Sequence, residues 1–222
     1  MWREARLIAE KDMRIELRSK VATGQIAPFA LTIVLLFAFA LDPDRNVLTR
    51  AASGLFWVAV LLSSVLAVQR SFAIESSGNA RDGLRLSGVD PAAIFVGKAV
   101  AIAVQLLALE VVLAGAVVIL YDVSITGVTT LFATCVFTTV GLATCGTIYG
   151  ALAAGARAKE TLLPLLFLPI VAPVLLAAAR STEAALGTSA DPAGTWVRVL
   201  AAFAVVYSAV GAIAFGPLME DS

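Results

Sequence analysis

The stretch PAAIFVGKAVAIAVQLLALEVVLAGAVVIL, residues 91–120, decides the fold. Its thirty residues carry two charges, Lys98 and Glu110, and no proline after Pro91. As an α-helix it is about 45 Å long, more than the roughly 30 Å hydrocarbon core of a bilayer. Such a run reads as a membrane span that tilts or projects into water. Its start is well marked: Asp90 can accept from free backbone amides, and Pro91 suits the first helical position.

Outward from this run the pattern repeats. Apolar segments at 21–41, 51–69, 128–154, 162–179 and 196–219 join 91–120 to make six spans, and 60% of the chain is apolar. The expected fold class is an all-α membrane protein, a single membrane domain over residues 1–222 with six transmembrane helices. Span 162–179 carries Pro164, Pro169 and Pro173, so a kink or break is expected there. The opening residues stay mixed in charge to Lys20 and lead into an apolar run with no Ala-x-Ala-like exit, so the first span is expected to be retained.

Charge placement sets the expected orientation. With the N-terminus inside, twelve Lys and Arg residues fall on inner segments and four (Arg45, Arg50, Arg180 and Arg198) on outer ones. Six spans then return the C-terminus to the cytoplasm.

Residues 1–20 show helical periodicity. Trp2, Ala5, Ile8, Ala9, Met13 and Ile15 share one broad face; Arg3, Arg6, Glu10, Lys11, Arg14 and Arg18 share the other. This fits an amphipathic helix in the cytoplasmic interface, with Trp2 at headgroup level and Arg3, Arg6, Arg14 and Arg18 near anionic lipid. Asp12 and Glu16 interrupt the apolar face. A basic segment that only enforces topology would look similar.

The loop 70–90 is the largest inward connector. It sets Phe72, Leu84, Leu86 and Val89 among Arg70, Glu75, Arg81, Asp82 and Arg85. Apolar anchors ringed by charge suit docking into a partner protein; packing on the chain's own bundle is the equal alternative.

Glu110 is an intramembrane carboxyl and therefore a functional candidate. It lies about 18 Å along the helix from Lys98, too far for a direct pair. Lys98, near the inner end, is expected to snorkel to water. The simpler role for Glu110 is a hydrogen-bonded residue facing the fourth span, where Thr134, Thr138, Thr139, Thr144 and Thr147 are the available partners. Cys135 and Cys145 are about 15 Å apart on one helix, too far to pair within it, and read as packing residues.

The chain has no histidine, no G-x-x-x-x-G-K-[ST] loop, no Cys-x-x-Cys and no acidic cluster suited to divalent metal. No metal, catalytic group or directly bound cofactor is expected. A process driven uphill must draw its energy from another subunit.

The second span and its exit, Leu55 to Phe72, resemble the haem exporter protein B family, the CcmB family. That family continues with an acidic, Gly-containing, Leu-rich loop and a lysine at the head of its third span. Here Glu75, Gly78, Asp82, Leu84, Leu86 and Lys98 fall in that pattern. The segments Lys11–Arg18 and Lys159–Leu176 are also similar to the family. Two places depart from it: Gln69 stands where glutamate is usual, and the loop reads Gly78-Asn79-Ala80-Arg81-Asp82.

The resemblance implies an ABC transporter permease of cytochrome c-type biogenesis in the bacterial inner membrane, with an exporter-type bundle. Its implied partners are a cytoplasmic ATP-binding cassette subunit that binds the ATP, a haem-handling membrane subunit, a small accessory subunit and a periplasmic haem chaperone. Haem would be a handled ligand. Arg70, Phe72, Glu75, Asp82, Leu84 and Leu86 would then form the ATPase contact. The permease of another ABC-2-like exporter, for drug or lipid, is the alternative. A membrane-embedded enzyme would need a convergent His, Asp or Cys cluster, and the chain shows none.

Overall fold

The computed structural model describes residues 1–20, 22–41, 45–76, 89–154, 159–189 and 192–220. Seven α-helices account for nearly all of them: α1 Trp2–Ser19, α2 Ala27–Leu41, α3 Arg45–Ser76, α4 Pro91–Tyr121, α5 Val128–Ala154, α6 Lys159–Ala185 and α7 Ala193–Glu220. Among the described residues, six helices (α2, with the turn before it, through α7) are long and apolar enough to cross a membrane. The chain is an all-α, multi-pass membrane protein with an amphipathic N-terminal helix.

Several boundaries differ from the sequence expectation, each for a local reason. The first span is not one regular helix from residue 21: a π-helical turn, Ala22–Ile26, precedes α2. Pro28 cannot donate to the carbonyl of Gly24 and its ring crowds that carbonyl, which a wider turn accommodates. The second span does not stop at residue 69, because α3 continues to Ser76. Arg70 and Glu75 end the apolar stretch but are good helix formers, and no glycine or proline intervenes before Gly78. Arg70 and Phe72 therefore lie in the last turns of a helix and not in the loop 70–90.

The fifth span also overruns its expected end. α6 passes unbroken through Pro164, Pro169 and Pro173 and reaches Ala185. Its last polar residues are bound across the bundle. Trp57 Nε1 donates to Thr182 Oγ1 at 2.9 Å, Ser53 Oγ to Glu183 Oε1 at 3.4 Å, and Ser181 shares a 2.6 Å hydrogen bond with Thr134. The helix ends in a Schellman motif. Gly187 adopts φ 71°, and the Thr188 and Gly187 amides donate to the carbonyls of Glu183 and Ala184.

The start of α4 follows the sequence reading: Asp90 accepts from the Ala92 amide at 2.9 Å, and Pro91 opens the helix. The main core joins α2 to α7 around Trp57, Leu106, Leu113, Leu142 and Phe167. A second cluster, Ile8, Ile94, Phe95, Ile148 and Phe215, ties α1 to α4, α5 and α7 at one end of the bundle.

Candidate functional site

The end of the bundle that carries α1 is also where α3 leaves for the 77–88 connector and α4 returns from it. A charged junction is built there. On α1, Ala5, Ile8 and Ala9 are buried, and Asp12 continues their stripe at the i, i+3, i+4, i+7 spacing. They rest on the first turns of α4. Gly97 makes the approach possible, since a Cβ at that position would lie 2.7 Å from the Ala5 carbonyl oxygen and from Ile8 Cβ.

The next residue of α4, Lys98, is only 1% exposed. Its Nζ lies 3.6 Å from Asp12 Oδ2 and 4.8 Å from the centre of the Phe72 ring on α3. The ring in turn fills the space over Gly150 of α5, where a Cβ would meet it at 2.4 Å. Asp12 also holds Lys11 at 2.9 Å. One buried ammonium thus connects α1, α3 and α4, and the ring on it reaches α5.

Lys98 does not snorkel to water. The chain's own N-terminal helix covers it and supplies the counter-charge. Asp12, which interrupts the apolar face of α1, is that counter-charge, and the face packs largely on α4. Trp2 at the start of α1 stays exposed, as do Arg3, Arg6, Arg14 and Arg18 on its outer side, with Arg14 paired to Glu10 at 2.6 Å.

Deeper along α4, Glu110 is 2% exposed. Thr139 of α5 donates a hydrogen bond to its Oε1, and the Cys135 thiol lies beside the carboxyl. Of the five threonines expected as partners on the fourth span, only Thr139 bonds Glu110. Thr134 meets Ser181, while Thr144 and Thr147 bond their own backbone. Oε2 of Glu110 and Oγ1 of Thr138 are buried without a hydrogen-bond partner among the described residues.

A model of the CcmB protein family matches residues 3–221. The chain belongs to the CcmB family. Three relatives named heme exporter protein B bear this out. The Rhodobacter capsulatus protein is 30% identical over 172 residues, 77% of this chain and 78% of the relative. The Haemophilus influenzae protein is 30% identical over 192 residues, 80% of each. The Escherichia coli protein is 31% identical over 100 residues, 45% of this chain and 44% of its own.

Within this CcmB chain the expected site residues separate: Trp2, Arg3, Arg6, Arg14 and Arg18 are exposed on α1, and Arg70 lies in the last turns of α3. Phe72 and Lys98 are brought together. Glu110 stands apart with Thr139. Asp82, Leu84 and Leu86, with the side chain of Glu75, lie outside the described residues. Val89, also expected in the loop, packs with Phe72 on the chain's own apolar cluster, so part of the apolar content of the segment belongs to the bundle. The residue that sequence reading missed is Asp12. An acid on the stripe of Ala5, Ile8 and Ala9 is the signal that marks it.

Proposed function

We propose that the chain is the membrane permease subunit of an ABC-type haem export or haem-chaperone release complex in cytochrome c biogenesis. In this reading it binds no ATP and catalyses nothing. A separate cytoplasmic ATPase subunit supplies the motion, and the connector between α3 and α4 receives it. A haem-handling membrane subunit, a small accessory subunit and a periplasmic haem chaperone complete the system, with haem as the handled ligand. The family match and the shared name of the relatives favour this over a drug or lipid exporter.

The observation that carries the mechanical part is the Asp12–Lys98–Phe72 junction. The connector is anchored on α3 and α4, and a displacement of either anchor reaches Lys98 or Phe72 within two or three helical turns. Packed cores shift between discrete arrangements and do not deform continuously. A pull on the connector therefore moves α1, α3, α4 and the Gly150 region of α5 together. The basic outer side of α1, with Trp2 exposed, suits a helix in the headgroup region of the cytoplasmic leaflet. Both termini are then cytoplasmic, as the twelve-to-four distribution of Lys and Arg also favours.

The test is a double substitution, Leu84→Asp with Leu86→Asp, followed by co-purification with the ATPase subunit in mild detergent. Loss of the ATPase from an otherwise monodisperse permease is expected. Undiminished co-purification would remove the connector from the interface. Labelling of a cysteine introduced at Ser77 from the periplasmic side of intact cells would overturn the orientation.

A further inference from the structure

The two sides of α6 differ. Leu163, Phe167, Val171 and Val174 are buried in the bundle. The opposite side carries Leu165, Pro169, Ala172, Pro173 and Leu176 at the i, i+4, i+7, i+8, i+11 spacing of one helix face. All five are exposed, Leu165 by 65% and Leu176 by 58%. Two of the three prolines inside this helix therefore lie on its outward face.

Proline has no amide proton, and in a helix the bond it fails to make is to the carbonyl four residues back. Pro169 leaves the Leu165 carbonyl without that donor, and Pro173 leaves the Pro169 carbonyl without it. Residues four apart share a side of the helix. Both carbonyls thus belong to the exposed face, one turn apart. They lie about 5 and 10 Å along the helix from Leu162, where the apolar span begins. A hydroxyl of the same helix could reach them only from positions three or four residues on. Those positions hold Leu168, Pro169, Ala172 and Pro173.

Lipid tails carry no donor. Backbone acceptors freed by proline in a membrane are met by neighbouring helices or by polar side chains. The shape of the face suits the first. Pro169, Ala172 and Pro173 are compact and lie between two protruding leucines, and small residues let a second backbone come close. Such an approach favours a short donor. Among the described residues this chain presents no outward pair of hydroxyls at that depth. Thr32 on α2 and Ser208 on α7 stand alone, and each donates to a carbonyl of its own helix.

We propose that this face of α6 docks a transmembrane helix of a different membrane protein, one that presents two serine or threonine hydroxyls, a turn apart, to the Leu165 and Pro169 carbonyls. The inference goes beyond the permease assignment and rests on α6 alone, so it stands or falls independently of that assignment.

The test is energy transfer in phosphatidylcholine vesicles between the full chain, labelled through a C-terminal tag, and leucine-based transmembrane peptides. One peptide carries a pair of serines a turn apart in each half; the other is leucine throughout. The serine peptide is expected to bind about fivefold more tightly, the order of two interhelical hydrogen bonds. Pro169→Ala with Pro173→Ala returns an amide to both carbonyls and keeps the face compact. This variant should unfold at a higher temperature and bind the two peptides equally. Ala172→Trp fills the notch and should weaken binding of the serine peptide about tenfold. Equal binding of the two peptides by the unaltered chain overturns the proposal without recourse to any variant. An undiminished preference in the folded double variant overturns it too. So does energy transfer between two labelled copies of the chain that Ala172→Trp abolishes, which would give the face to a second copy.

Discussion

Two ionisable side chains are buried on α4, twelve residues apart, and the protein treats them in opposite ways. Lys98 meets a full counter-charge on another helix and an aromatic face on a third. Glu110 meets a threonine hydroxyl and a thiol, both from the single helix α5. Lys98 thus ties its helix to α1, and the tie holds in one register only. Glu110 makes a local contact between two neighbouring spans, and a neutral group of the same shape can make it equally well. In the proposed mechanism the first is a coupling contact and the second a packing contact on one helix, and substitutions at the two sites should differ accordingly.

The largest effect is expected at the junction. Removing one partner of a buried ion pair leaves the other uncompensated and costs about 3–5 kcal/mol. Asp12→Leu, which leaves the fully buried Lys98 ammonium without that counter-charge, should destabilise the chain by that order, read as a fall in the thermal unfolding midpoint of the detergent-purified protein. Adding Lys98→Met should restore much of it, since an apolar pair of similar volume avoids the desolvation cost. The restored protein should assemble with its partners yet transmit motion poorly, measured as ATP hydrolysis without release of the haem chaperone. Full coupling in the double variant would show that register does not depend on the charge pair.

A smaller effect belongs to the ring on Lys98. Gly150→Leu forces a side chain into the space that Phe72 occupies, an overpacking worth about 1–3 kcal/mol. Phe72→Ala in the same chain should relieve part of it. Additivity of the two changes, measured in a double-mutant cycle, would mean that α3 and α5 are not in contact through this ring.

Much of the bundle was legible in the sequence because hydropathy and length decide spans in a bilayer. The Asp90–Pro91 start of α4 was legible for the same reason that local chemistry decides caps. Thr139 was legible only as one of five candidate threonines, since a sequence gives the face of a helix more readily than its rotation against a neighbour. The junction was not legible. Asp12 and Lys98 are separated by 86 positions, and a hydropathy window reads a lysine near the end of a span as a group bound for water. What keeps Lys98 dry is tertiary: a second helix of the same chain lies over it. The overrun of α3 escaped for a related reason. Loss of hydropathy marks where the membrane ends, whereas a helix ends only at a residue that breaks it, and Arg70 to Ser76 holds none.

The smallest effects are expected at Glu110, and they bear on function more than on stability. Thr139→Val removes the hydroxyl donor, and interhelical hydrogen bonds in membranes average about 0.6 kcal/mol. Glu110→Gln keeps an oxygen to accept from Thr139 and adds an N–H, so its cost should be no larger. Both variants should assemble normally and support cytochrome c maturation at near wild-type levels, scored by haem staining of periplasmic cytochromes. If Glu110→Gln instead abolished maturation in an intact complex while Thr139→Val did not, the acidic proton itself would be in use. The buried Oε2 without a partner would then mark the point where a second proton-carrying group, from another subunit or from water, approaches the bundle.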